Sequence, residues 1–363
     1  MGLSSARLNR YHIAQNKMSG SDFIGVLGVT NVSDVAMTIT VATVSLYLMM
    51  GLGVYLMCPS LILQVYFKFA VLWSGMKVKF VSPDGKFQFC YGEKGQQREG
   101  SVSLLFLHGF TADHFMWTPV VKRIPSSVHV IALDSPGHGG SSEPEEDDLD
   151  YTSQVKMIRK FVELVGLDKQ PFHIVGLSMG AALGGLFAAE YPQLVKKLTL
   201  SCPSMITPTP SPFAEGLRQH HENGRDFDVT SCILLPQNGA EVQEMLNFSR
   251  FYKTTFPYQI LQGAADIRKK KNDFYLKLFL CITHQRNTLE DNLQKVKVPV
   301  QLIWGKEDKI IDLSGIDALK TGLSKVDRVD IIPECGHAIT LDQPETYTRV
   351  IMEYWTARET THT

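Results

Sequence analysis

PFHIVGLSMGAALGG, residues 171–185, decides how the rest of the chain is read. Phe172 to Val175 is a short apolar run of strand-forming residues, and from Ala181 onward small helix formers take over. Between them lies Gly176-Leu177-Ser178-Met179-Gly180. Small residues on both sides of a serine let a strand turn sharply into a helix, so that the hydroxyl points out of the sheet's C-terminal edge. Ser178 is therefore read as a nucleophile; the alternative is a glycine-lined turn with a helix-capping serine.

Outward from this stretch the chain alternates strand-like and helix-like runs. Val102–Leu107, Val128–Leu133, Phe172–Val175, Leu198–Cys202, Val300–Trp304 and Arg328–Ile332 are short apolar runs suited to buried parallel strands. Helical spacing appears in Thr152–Leu167 (Val155, Ile158, Val162, Val165), in Ala181–Glu190, in Leu313–Leu323 and in Pro344–Trp355. Met76–Val81 and Lys86–Tyr91, joined by Pro83-Asp84-Gly85, read as a hairpin. The fold class expected is α/β, a mostly parallel sheet with helices on both faces. The rhythm breaks from about 204 to 297, where a Pro-rich start precedes helical patterns at Ala240–Ser249 and Asn272–Thr283, so this segment reads as an inserted helical cap. Core segments 76–203 and 298–358 would flank it.

A serine hydroxyl needs a base to take its proton and a carboxylate to hold that base. Of the 11 histidines, His337 in Glu334-Cys335-Gly336-His337 follows the Arg328–Ile332 strand, where a loop at the sheet's edge would bring it over Ser178. Asp308, in Trp304-Gly305-Lys306-Glu307-Asp308, likewise follows a strand end; Glu307 and Asp312 compete with it. Asp134 and His138 sit in a Pro-Gly-turned loop and read as scaffold. His337 and Asp342 fit the HxxxxD spacing associated with acyltransferases, but Asp342 with Glu345 reads first as a capping box for the last helix. The adjacent His220 and His221 read as cap residues that cannot share one metal.

HGF at 108–110, DSPGHGGS at 134–141, GLSMG at 176–180, WGKED at 304–308 and CGH at 335–337 resemble the α/β-hydrolase fold family in motif, order and spacing. Over roughly residues 55–355 the chain is similar to the membrane-anchored monoacylglycerol lipases among the α/β-hydrolase domain-containing proteins, QILQGAADIRKKKNDFYLKLFL at 259–280 and VPVQLIWGKEDKIIDLSGID at 298–317 carrying this closer likeness. The order Ser178, Asp308, His337 is that of the family. The resemblance implies a single-pass membrane protein with a cytosolic site on endosomal, lysosomal or other intracellular membranes. It would hydrolyse monoacylglycerols, 2-arachidonoylglycerol among them, and some lysophospholipids. Within the motifs, the backbone amides of Phe110 and Met179 would form the oxyanion hole, and His108 would be a structural hydrogen-bonding residue. Neither cofactor nor metal is called for. An epoxide- or haloalkane-hydrolysing relative would place Asp at position 178, whereas carbon–carbon bond hydrolysis, general carboxylesterase activity and a scaffold role on another membrane protein stay open.

The residues before the core explain where such a site would work. Val35–Cys58 is a run of 24 residues without charge, and Lys68 is the first charge after Asp34. About 20 helical residues cross a bilayer core, so this run is expected to span one; it is too long and too late for a cleaved signal. Only Lys17 precedes it closely, whereas Lys68, Lys77 and Lys79 follow, which places the hydrolase on the cytoplasmic side. Residues 1–34 lack apolar periodicity and read as a disordered tail, and 59–75 as a membrane-proximal segment that either lies at the interface or packs on the core. With Lys+Arg 36 against Asp+Glu 37 there is no basic excess for nucleic acid. Six dispersed cysteines without a CxxC pair signal neither zinc nor a disulfide framework. The partners expected are thus a lipid substrate and the membrane, with protein partners unspecified.

Overall fold

In the computed structural model, which describes residues 32–222 and 232–357, one eight-stranded sheet runs in the order β1-β2-β4-β3-β5-β6-β7-β8. The strands are β1 Lys77–Val81, β2 Phe89–Lys94, β3 Leu104–Leu107, β4 Val130–Leu133, β5 Phe172–Leu177, β6 Val195–Ser201, β7 Val300–Gly305 and β8 Val326–Ile332. β1 and β2 form an antiparallel pair, β2 is antiparallel to β4, and every other pairing is parallel. The central strands carry continuous apolar runs because helices cover both faces: each residue of β3, β4, β5 and β7 is buried. At the β8 edge burial alternates, as expected where one face meets water.

The hairpin's second strand begins at Phe89, three residues later than its sequence pattern suggests. Asp84 Oδ1 accepts the amides of Lys86 and Phe87, and Ser82 Oγ that of Gly85, so the turn takes backbone donors a ladder would have needed. Residues 32–57 form one helix, α1 (Val32–Met57), longer by three residues at its start than the charge-free run, with Asp34 in the first turn where the helix dipole favours an acid. Its length and apolarity suffice to cross a membrane. The expected tail otherwise lies outside the described residues, as do the side chains of His220 and His221.

Cys58 to Thr363 make up a compact unit separate from Met1–Met57. Helix α2 (Pro59–Trp73) belongs to that unit and packs one face on the core: Leu63 and Val71 are buried, and the Phe67 ring lies tilted 4.2 Å from that of Phe115. In the core, Asp150 caps α3 (Tyr151–Leu164) by accepting from Thr152 and Ser153, and the helix buries Val155, Ile158, Phe161 and Val162. Helix α4 (Met179–Glu190) is buried from Met179 through Ala188. Between β6 and β7 come α5 (Pro212–Glu222), α6 (Gly239–Ser249), α7 (Tyr258–Arg268) and α8 (Asn272–His284), followed after β7 by α9 (Gly315–Gly322) and α10 (Pro344–Thr356).

Candidate active site

At the junction of β5 and α4, Ser178 has φ 57 and ψ −120, a conformation that costs a non-glycine residue about 1–3 kcal/mol and persists only where the surroundings impose it. The flanking glycines impose it. A Cβ on Gly176 would lie 2.4 Å from the Ala181 Cα, and one on Gly180 would lie 2.2 Å from the Leu107 carbonyl oxygen, so both positions exclude side chains by backbone contact. The Ser178 amide donates to Ser201 O at 2.9 Å, while its carbonyl accepts from Ala181, Ala182 and Ser204 at 3.0–3.1 Å. The turn is thereby fixed from both sides, and among the described residues the hydroxyl itself makes no hydrogen bond.

Four non-glycine residues have positive φ among the described residues: Thr111, Ser178, Cys202 and Glu334. Each follows the C-terminal end of a strand, β3, β5, β6 and β8 respectively, so the strain is concentrated at one edge of the sheet. At that edge His337 Nδ1 stands 2.7 Å from Asp308 Oδ2. Asp308 is itself held, its Oδ1 accepting the amides of Ile310 and Ile311 at 2.8 and 3.0 Å. Both side chains are almost fully buried, a setting in which a carboxylate fixes imidazole tautomer and orientation and supports its cation. The competing acids are engaged elsewhere: Glu307 accepts the Cys335 amide and Asp312 the Ser314 amide.

Gly109 brings the HGF turn against the serine, since a Cβ placed there would lie 3.3 Å from Ser178 Cβ. Among the described residues, the amides of Phe110 and Met179 find no acceptor. The Phe110 ring lies 5.8 and 5.6 Å from those of Tyr275 and Phe279 on α8, within an apolar cluster that includes Phe213 and Leu235. The cap thus turns a greasy face toward the two amides. Arg268, at the end of α7, reaches across to the Thr111 hydroxyl and carbonyl and to Leu234 O. This tie between cap and turn has no local sequence signal, because Arg268 opens a run of four basic residues, Arg268 to Lys271, in which nothing marks it out.

Asp342 corrects the capping-box expectation. Gln343, without a side-chain cap, precedes α10, and Glu345 pairs with Arg123 instead. The Asp342 carboxylate is buried and accepts from Arg250 Nε (3.1 Å), the Phe251 amide (2.7 Å) and the Gly336 amide (3.0 Å). It therefore joins the end of α6 to the loop that carries His337, a joint reinforced by the Ala338 amide on Ser249 O and by Tyr252 on Glu334. Asp342→Ala is expected to destabilise the protein by about 3 kcal/mol, because it strands a mostly buried guanidinium and two amides, and to lower turnover through displacement of His337. Thermal unfolding and ester hydrolysis on the same preparation check both effects.

Other polar groups of the motifs are engaged within the fold. His108 accepts the Ser135 amide on Nε2 at 2.9 Å, so its Nδ1 donates to Gly109 O, and burial holds the ring below the usual histidine range. Asp134 accepts from the His114 amide and ring and from Gly140. Two clusters, Cys90 with His114 and Asp134 and Cys202 with Asp308 and His337, each gather their polar atoms within 4.8 Å. In both, the carboxylate is already engaged by several donors, and burial pushes each thiol well above its ordinary range.

The alpha/beta hydrolase fold family model matches residues 102–344. The chain is 37% identical over 303 residues to "Monoacylglycerol lipase ABHD6" of Homo sapiens, covering 83% of this chain and 88% of that one. It is 35% identical over 310 residues to "Monoacylglycerol lipase abhd6-A" of Xenopus laevis, covering 85% and 90%. Among solved structures, a bacterial membrane phospholipase A superposes with a TM-score of 0.73 at 25% identity, covering 87% of this chain and 97% of that one.

Proposed function

Because the chain belongs to the α/β-hydrolase fold family, we propose that it is a membrane-anchored serine lipase that cleaves monoacylglycerols through an acyl-enzyme. The observation that carries this reading is the strained Ser178 at the same sheet edge as the hydrogen-bonded Asp308–His337 pair. Ser178 Oγ attacks the acyl carbonyl carbon while His337 Nε2 takes the hydroxyl proton, and Asp308 supports the imidazolium that results. The oxyanion formed on the carbonyl oxygen is received by the Phe110 and Met179 amides, each such donor being worth about 3–4 kcal/mol in the transition state. Collapse breaks the ester bond, and the departing glycerol oxygen takes the proton from His337. Water then repeats the sequence on the acyl-serine, with His337 again as base, and releases fatty acid.

The name shared by the relatives supports glycerol as the alcohol, and the apolar cluster around Phe110, Tyr275 and Phe279 supports burial of the acyl chain. The alcohol side leaves toward water and so suits a small polar group; 2-arachidonoylglycerol and lysophospholipids both meet these demands. α1 would serve as the anchor, with the hydrolase unit on the cytoplasmic side, a reading supported by Lys68, Lys77 and Lys79 following the span. Hydrolysis of monoacyl-, diacyl- and triacylglycerols of one acyl chain, compared in identical detergent, is expected to rank them in that order. A triacylglycerol cleaved fastest would overturn the monoacylglycerol assignment with the triad intact, and equal turnover of a water-soluble acetate ester would make the protein a general carboxylesterase.

A further inference from the structure

Helix α2 packs inward through Leu63, Phe67 and Val71, yet its outward face is no less apolar. Leu61, Val65, Tyr66, Phe69, Leu72 and Trp73 are all exposed, Phe69 at 66%, Leu72 at 65% and Trp73 at 89%. Leu61, Val65, Phe69 and Leu72 recur at the spacing of one helix face, so these side chains form a continuous stripe rather than scattered exceptions.

We propose that this stripe is a bilayer-docking surface, lying in the lipid interface parallel to the membrane, and that the hydrolase unit is thereby held with its HGF turn and cap close to the lipid. The proposal rests on α1 being the anchor. Three observations choose lipid as the occupant. Cys58 alone separates α1 from α2, so the chain leaving a membrane span enters the stripe at once. From residue 35 to 83 the sequence holds no acidic residue, while Lys68 flanks the stripe and Lys77 follows it, which suits the head groups of a membrane surface. Trp73, nearly fully exposed at the helix end, is the residue type that settles at the lipid–water boundary.

The attachment of α2 to the site is tight. A Cβ on Gly263 of α7 would lie 2.7 Å from the Pro59 carbonyl carbon, so the start of α2 rests directly on a cap helix. Phe115, which Phe67 packs against, lies four residues beyond Thr111 of the HGF turn. Docking α2 therefore fixes the distance from the bilayer to both elements that flank Ser178.

The chain supplies its own probe. Of the four tryptophans, Trp117 and Trp304 are buried, Trp355 is half-buried and only Trp73 is exposed. Full-length protein reconstituted into phosphatidylcholine vesicles would be floated on a density gradient, and its tryptophan emission compared between ordinary and acyl-brominated lipid. The expected result is co-flotation, strong quenching by the brominated lipid, and loss of most of that quenching in Trp73→Phe. Co-flotation with equal quenching in wild type and variant would overturn the docking of α2. Trp73 emission that is blue-shifted but untouched by bromine would do so as well, in favour of a second copy covering the stripe. Failure to co-float would instead overturn the anchored reading beneath it.

Discussion

Ser178→Ala is expected to abolish ester hydrolysis, with a loss on the order of 10⁶-fold, as removal of a serine nucleophile produces elsewhere. The fold should be untouched. Among the described residues the Ser178 hydroxyl makes no hydrogen bond, and alanine meets the same cost as serine at φ 57, so neither packing nor backbone strain changes. The variant should therefore retain its unfolding temperature and membrane fraction while losing covalent labelling by a fluorophosphonate probe. Turnover retained in a clean preparation would remove Ser178 from the mechanism.

Asp308→Asn should fold and lose on the order of 10⁴-fold in turnover, by the behaviour of the equivalent change in serine proteases. The reason lies in which oxygen does what. The asparagine carbonyl would keep the amides of Ile310 and Ile311, which turns its NH₂ group toward His337 Nδ1. That nitrogen must then accept, so the ring proton moves to Nε2, the atom that has to be bare to receive the serine proton. The rate should recover in part at high pH only if hydroxide replaces the histidine, which a pH profile of turnover measures. Activity near that of the unaltered protein would move the acid to Glu307 or Asp312.

The sheet and the nucleophile turn were legible because their signals are local. Buried parallel strands must be short apolar runs, and a strand-to-helix reversal on a serine needs small neighbours, which residues 171–185 display in sequence. Strand limits moved by a few residues where side chains compete for amides, as Asp84 does ahead of β2. What escaped were the ties between distant segments. Asp342 and Arg250 are 92 positions apart, and Arg268 and Thr111 are 157 apart. No periodicity announces such pairs, and a motif such as HxxxxD, or an acid before a Pro-initiated helix, offers a plausible local use for the same carboxylate. The positive φ of Cys202 is likewise invisible, because cysteine is not a residue type that signals a left-handed turn.

The cap departs from β6 and returns into β7, two strands that are hydrogen-bonded neighbours, with Leu198 opposite Val300 and Ser201 opposite Ile303. Because the two strands are parallel, the cap leaves at the C-terminal end of β6 and returns to the opposite, N-terminal end of β7, so it also serves as the crossover between them. An insertion carried in a crossover is a cassette: lengthening or replacing it costs the chain little, since closure entropy grows only slowly with length, and the sheet register never has to change. Selection can therefore rewrite what the enzyme accepts without touching how it cuts, provided that each new cassette still presents a donor to Asp342 and a ligature to Thr111. Those two knots, and not the strands, are what a replaced cap would have to keep.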